Sequence, residues 1–305
     1  MPAFLVKRLL QSLAVFLGVS LAMFLMLRMV GDPVQLLLGE EGTPEDIARL
    51  QVVFGLDRSL PVQYLYFLRN ALRGDLGVSY HHGVPAMELV LERVPATLEL
   101  AGAAMLIAIV LAVPLGVIAA NRRGGVLDRL FLSGSLVGIS APPFWVGIVF
   151  ILVFGVMFRW LPTSGRGGWE HLVLPAGSLA LYRLALFIRL VRSGMLDVLG
   201  QDYVRTARSK GLAERAVVFK HALKNTLIPF ITIAGLQMGS LLAGAVVTER
   251  VFAWPGMGRL ILDSIQKLDY PVVMCWALVT AAIFILINLV VDISYSFVDP
   301  RVRSG

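Results

Sequence analysis

The sequence predicts an all-α, polytopic membrane protein with six transmembrane helices. Of its 305 residues 57% are hydrophobic and only 15% charged, well short of the roughly 25% charge of a soluble domain. The mean hydropathy is +0.80. Six separate stretches also approach the about 20 apolar residues that a helix needs to cross bilayer hydrocarbon. The formal charge of +7 does not point to nucleic acid, because the bases gather in short connections between apolar stretches, the distribution that sets membrane orientation. The single cysteine, Cys275, lies in an apolar run, excludes an intrachain disulfide and reads as small apolar filler.

Leu9 to Leu27 is the first span. Its apolar run is too long for the core of a secretory signal, and Met29-Val30-Gly31-Asp32-Pro33 offers no small-x-small cleavage site, so it reads as a retained anchor. The following segment, Gly31 to Pro95, carries nine acids against five bases and is expected outside. Within it Thr43, Pro44, Glu45 and Asp46 supply an N-cap, a first-position proline and first-turn acids for a short helix from Pro44 to Phe54, stopped by Gly55. A second helix is expected from Pro61 to Gly74, with Val62, Leu65, Leu68 and Leu72 on one stripe, and a third from Pro85 is expected to be interrupted at Pro95. These helices either cover the bundle as a lid or help receive an external solute-binding protein. Tandem His81-His82 lacks partners at metal-ligand spacing and belongs to the surface, so no metal or cofactor is expected.

The second and third spans are Leu98 to Ala120 and Leu130 to Phe154, separated by Arg122, Arg123 and Arg129. The fourth, Leu172 to Leu190, contains Arg183 and reaches Arg189. A central arginine costs about 2.5–3.5 kcal/mol on insertion scales, so snorkelling to an interface is the simpler expectation for Arg183 and binding of a substrate carboxylate the alternative. Leu227 to Val247 and Val272 to Ser294 are the fifth and sixth spans. Gln237, Ser240, Asn288 and Asp292 are the polar residues in them that are first candidates for a translocation pathway; for Gln237 and Ser240 the alternative is bonding between close-packed helices, helped by Gly235, Gly239 and Gly244, and for Asp292, near the inner interface, solvation or capping of a neighbour. The connection from Thr248 to Tyr270, with Glu249, Arg250, Trp254 and the Pro255-Gly256 turn, either dips toward the outer mouth or anchors Phe252 and Trp254 at the interface. Arg250, Trp254 and Gly256 are the candidates there for an outer gate or a binding-protein contact.

Orientation follows from Arg189 to Thr226, which holds eight Lys/Arg against three acids and is expected to be cytoplasmic. Lys7, Arg8, the Arg122–Arg129 connection, Arg301 and Arg303 then share its side, so both termini are cytoplasmic. This loop reads as helix, turn, helix: Asp202 to Lys210, Gly211 at the turn, and Ala213 to Leu223 with Ala213 and Val217 on apolar stripes. Such an amphipathic element either lies on anionic lipid or inserts its apolar face into a groove on a partner.

From Asp202 to Pro229 the chain reads DYVRTARSKGLAERAVVFKHALKNTLIP. It resembles the "EAA" loop of ABC-transporter permeases, in the branch that carries dipeptides, oligopeptides, glutathione and nickel. Arg205-Thr206-Ala207 followed by Gly211 occupies the loop's frame, with Arg205 where many permeases have Glu and Lys224 where a later Pro is common. Gly31-Asp32-Pro33, Gly74-Asp75-Leu76-Gly77, Trp254-Pro255-Gly256-Met257-Gly258 and Asn288-Leu289-Val290-Val291-Asp292 are similar to that branch in the same order. The resemblance implies an inner-membrane permease subunit of a type-I importer fold, working with a second, similar permease, two cytoplasmic ABC ATPase subunits and a periplasmic or lipid-anchored solute-binding protein. It also implies that Arg205, Thr206, Ala207, Lys210, Gly211, Leu212, Ala213 and Glu214 form the ATPase-coupling loop. The expected divisions are an anchor and periplasmic segment (1–93), a permease core (94–295) with its coupling loop (190–226), and a tail (296–305).

The sequence contains no G-x-x-x-x-G-K-[ST] phosphate loop, so ATP hydrolysis is assigned to separate subunits and the chain is not expected to be an enzyme. An intramembrane hydrolase is disfavoured because H-E-x-x-H and G-x-S-x-G are absent and the four histidines lie outside the spans or at an edge. An ion-coupled secondary transporter accounts for midplane polar groups but not for the large basic loop. Short peptides are the expected cargo, with nickel or sugar ligands as the alternative.

Overall fold

The structure, a computed structural model, describes residues 2–30, 43, 45, 49 and 58–298. Among them the elements are helical, apart from one β-bridge between Val78 and Pro85. In chain order they are α1 (Pro2–Val30), α2 (Leu60–Leu72), α3 (Ala86–Asn121), α4 (Val126–Ser140), α5 (Pro143–Phe150, continued by a π-helical Ile151–Met157), α6 (Trp169–Leu199) and α7 (Asp202–Ser209). A short turn, Glu214–Ala216, and a π-helical Val217–Ala222 lead into α8 (Leu223–Val251), followed by α9 (Met257–Gln266) and α10 (Tyr270–Val298). The short helix expected over 44–54 falls, apart from Glu45 and Arg49, outside the described residues, as do Gly31-Asp32-Pro33, Arg301 and Arg303.

Among the described residues, Arg8–Met26, Ala86–Asn121, Trp169–Leu199, Glu214–Leu242 and Tyr270–Val291 are long and apolar enough to cross a bilayer. The chain is thus a multi-pass membrane protein. The third expected span is not one straight helix: α4 and the Pro143–Met157 stretch meet at 102°. Ala141 is extended (φ −84, ψ 122) and Pro142 likewise (ψ 135). Two consecutive prolines push the preceding residue out of the helical region and remove backbone donors, which fixes the break at Ala141-Pro142-Pro143. Conversely, Pro95 does not interrupt α3. The carbonyl it orphans belongs to half-exposed Leu91, so the lost bond strands no buried acceptor.

Contacts divide the chain into two compact units, Met1–Pro95 with Leu260–Ile285, and Ala96–Arg259 with Leu286–Gly305. In the first, α2 meets α1 through Phe24, Tyr64 and Phe67, whose rings lie 5.5–6.3 Å apart, and through a 2.8 Å bond between the Ser20 and Tyr64 hydroxyls. The expected Val62, Leu65, Leu68, Leu72 stripe is not the buried face, since Leu65 and Leu72 are exposed. Aromatic contact on the Gln63, Tyr64, Phe67 side wins over the aliphatic periodicity. The loop after α2 turns through Gly74 (φ +77) and Gly77 (φ +92). It is pinned by Asp269, which accepts from Ser79 Oγ at 2.5 Å and from the Tyr80 amide at 3.2 Å.

The second unit is organised on α6, which packs against α4, α5 and α8. Small residues allow the approach: a Cβ on Gly116 would stand 2.7 Å from Val191 Cβ, and one on Gly194 2.8 Å from Thr226 Cγ2. Outside the apolar segments, Asp128 receives Arg192 Nε at 2.5 Å and Nη2 at 2.9 Å. The Arg192 hydrogen bonds hold the Asp128 carboxyl at about 2.

Candidate functional site

The basic loop begins where α6 ends. Val198 and Leu199 of α6, Val204 and Ala207 of α7 and Val217 of the π turn form one apolar cluster. Part of the apolar side of this element is therefore buried against its own chain, while Tyr203, Leu212 and Phe219 stay exposed. Burying about five such side chains in one cluster ties α7 to both flanking spans more strongly than surface polar contacts can. Asn225 Nδ2 adds a 2.6 Å bond to the Tyr203 hydroxyl, linking α8 to α7.

What remains outward is the set the sequence singled out, with one exception. Arg205, Thr206, Lys210, Gly211, Leu212, Ala213 and Glu214 are exposed, whereas Ala207 is buried. Arg205 has only a loose 3.6 Å pair with Asp202, so its charge is open to a partner. Gly211 sits at φ +77 with nothing within 4 Å of where a Cβ would be, so backbone handedness, not crowding, requires glycine. Across that turn Arg208 donates to Glu214 Oε1 at 2.7 Å and Oε2 at 3.2 Å. This bidentate bond holds the Glu214 carboxyl below the usual carboxylate range.

The far end of α8 differs from its sequence-based description. The connection after Thr248 is not irregular backbone: α8 runs to Val251, a tight turn carries Phe252 to Gly256, and α9 starts at Met257. Phe252 and Trp254 are each 1% exposed, which removes interfacial anchoring as their role. Trp254 Nε1 donates to the Ala96 carbonyl at 2.8 Å, and Arg166, paired with Glu99 at 2.5 Å, lies 6.0 Å from the Trp254 ring centroid.

Sequence reasoning named Glu249 only as part of this connection, yet it is the centre of the cluster. Its carboxylate is fully buried and accepts from Thr97 Oγ1 (2.7 Å), the Gly258 amide (2.7 Å) and the Arg259 amide (3.1 Å). Thr97 Oγ1 in turn accepts from the Met257 amide at 2.8 Å, leaving its proton for Glu249. The first three N–H groups of α9, which have no intrahelical acceptor, are thus satisfied by side chains from α3 and α8, with a negative charge at the positive end of the helix. Gly256 and Gly258 press against the same carboxylate, and a side chain at either would displace it. The signal available was an acid at the end of an apolar run, followed by Pro255-Gly256-Met257-Gly258.

The expected pathway residues lie apart from both clusters. Ser240 is exposed and Gln237 half-buried on α8, where Ser240 Oγ donates to the Gln237 carbonyl at 2.9 Å and lies 3.3 Å from Gln237 Oε1. Asn288 is half-buried on α10. Arg250 is exposed. Among the described residues no group of three or more His, Cys, Asp or Glu is placed to hold a metal.

Comparison with known proteins fits this architecture. Residues 112–304 match the family described as binding-protein-dependent transport system inner membrane component, and residues 1–101 match its N-terminal companion. The dipeptide transport system permease protein DppB of Escherichia coli K12 is 39% identical over 99% of each chain. The di/tripeptide permease DppB of Pseudomonas aeruginosa is 42% identical over 99% of each. The glutathione transport system permease GsiC of Escherichia coli O6:H1 is 41% identical over 98% of each. Among solved structures, the inward-facing MetNI methionine ABC transporter aligns with a TM-score of 0.57 at 20% identity, covering 70% of this chain and 97% of that one, a likeness of fold. The helical architecture is that of a type-I ABC importer permease, and the chain belongs to the binding-protein-dependent transport system inner membrane component family.

Proposed function

We propose that this chain is one of two permease subunits of an importer that moves short peptides into the cytoplasm, powered by two ABC ATPase subunits and supplied by a periplasmic or lipid-anchored binding protein. The observation that carries the reading is end-to-end similarity, at 39–42% identity, to permeases named for dipeptides, di/tripeptides and glutathione. The loop supports the division of labour. Arg205, Thr206, Lys210, Gly211, Leu212, Ala213 and Glu214 form an exposed, cationic face for the ATPase, while Ala207 packs inward with Val204. A push on that face reaches α6 through Val198 and Leu199 and α8 through Val217 and Asn225, so both spans move with it. In this reading the loop and both termini are cytoplasmic, Gln237, Ser240 and Asn288 line the path, and Arg250 and the turn at Trp254 and Gly256 lie toward the binding protein.

The test is ATP-dependent uptake of a labelled dipeptide by vesicles containing the complete complex. Accumulation is expected only with ATP, the ATPases and the binding protein present. Accumulation by this chain alone sinks the reading in favour of a secondary carrier, and failure to accumulate any di- or tripeptide sinks the choice of cargo.

A further inference from the structure

Arg183 lies near the middle of α6 and is 6% exposed, so it does not snorkel to an interface. A guanidinium carries five donors and no acceptor, yet Nε has no partner. Among the described residues, no carboxylate pairs with it. The Tyr182 ring lies beside it, its centroid 5.3 Å from the guanidinium carbon. A charge at this depth without a counter-charge is costly, and such residues face protein or water rather than lipid.

The direction in which it is aimed is set by α8. Nη2 lies 3.5 Å from where a Cβ on Gly244 would stand, and Gly244 is itself exposed, so no side chain separates the guanidinium from that face of the helix. One turn earlier on α8 is exposed Ser240, bonded to Gln237. The guanidinium and this hydroxyl–amide pair thus share one polar strip in an otherwise apolar span, within the reach of a molecule two residues long.

We infer that Arg183 is an anion-binding position in the translocation path, where its guanidinium takes the carboxylate of the cargo as it passes the Ser240–Gly244 face of α8. The carboxylate is the planar, acceptor-only group that matches the guanidinium fork. Gly244 keeps the approach open, and the cargo supplies the counter-charge that none of the described residues provides. The identity of the cargo rests on the peptide-import reading; the anion site does not.

Two experiments on the assembled transporter separate them. With Cys275→Ala removing the native thiol and Gly244→Cys placing one beside the guanidinium, labelling by an anionic ethylsulfonate thiosulfonate is compared with labelling by its cationic trimethylammonium counterpart. Retaining Arg183 is expected to favour the anionic reagent by about tenfold relative to Arg183→Gln, as a nearby uncompensated charge in a low-dielectric path requires. An unchanged ratio, which a partner-subunit carboxylate seated on Arg183 would produce, overturns the inference, and so does failure of both reagents to label. In dipeptide uptake, Arg183→Gln is expected to lose at least about tenfold and Arg183→Lys to retain part, the loss of a charge-assisted bond, with subunit assembly and binding-protein affinity unchanged. Full uptake by Arg183→Gln overturns the cargo contact and leaves import intact. Absence of peptide uptake by the unmodified transporter sinks the import reading, and the labelling ratio then decides the anion position alone.

Discussion

Replacing Glu249 with alanine tests whether the buried carboxylate holds the turn between α8 and α9. The side chain is fully buried and has three donors on two oxygens. Truncation leaves the Gly258 amide and the Thr97 hydroxyl without acceptors in a buried site, while the half-buried Arg259 amide has access to other partners. Each stranded buried group costs about 1–3 kcal/mol, and the loss of a charge at a helix N-terminus adds about 0.3–1 kcal/mol. Against this stands the return of the desolvation cost of burying a carboxylate. The balance is a destabilisation of about 2–4 kcal/mol. Glu249→Gln is the informative control: its carbonyl keeps both amide bonds, and its NH2 can donate to Thr97 Oγ1, but the Thr97 proton then loses its acceptor, so its cost is about 1–2 kcal/mol, below that of alanine. Equilibrium unfolding in mixed detergent, followed by far-UV circular dichroism, reads the difference. An alanine variant within about 0.5 kcal/mol of the parent, or a glutamine variant as damaged as alanine, refutes the hydrogen-bond accounting.

Gly211→Val is expected to cost about 1–2 kcal/mol through its left-handed backbone and to reduce binding-protein-stimulated ATP hydrolysis; unaltered coupling argues against the turn as part of the lever. Gly116→Ala meets the branched Val191 side chain and the Ile188 carbonyl, and the resulting overpacking is expected to cost about 1–3 kcal/mol in the same unfolding assay. For Asp128 the folded-state pKa is depressed to about 2, chiefly by the Arg192 hydrogen bonds. Its stabilisation is therefore present above the unfolded carboxylate pKa and lost as pH falls through about 2. Midpoints of the parent and Asp128→Asn are expected to differ at neutral pH and converge in acid, and a gap that persists to pH 2 contradicts the assignment.

The long spans were legible because their signal is redundant: α6 and α10 tolerate polar residues and prolines without losing the apolar length that identifies them. The break in the third span was equally visible in Ala141-Pro142-Pro143, but hydropathy averages over a local backbone constraint, so the segment read as continuous. Hydrophobic periodicity failed differently in α2 and α7. Periodicity shows that a helix has an apolar side; it does not say what covers that side. In α2, aromatic neighbours selected the Tyr64–Phe67 side. In α7, residues on either side in sequence covered it. Glu249 was illegible because its importance comes from Thr97, more than one hundred residues earlier, and from the bare amides of α9, neither of which a local pattern encodes.

The placement of α7 bears on how a force could be passed through this chain. The ion pairs of the loop are poor carriers: Arg205–Asp202 is loose and exposed, and Arg208–Glu214, though bidentate, joins residues only six apart across one turn. Exposed pairs of this kind are worth at most about 1 kcal/mol. The Val198, Leu199, Val204, Ala207, Val217 cluster is the contact that reaches both spans, and close-packed apolar contacts resist displacement in every direction. Gly211 then serves geometry alone, turning the chain so that one short helix touches the end of α6 and the start of α8 together. In the proposed importer, a lever built this way would transmit displacement without depending on charge, which would leave Arg205 free to differ from glutamate without cost to the contacts inside the chain.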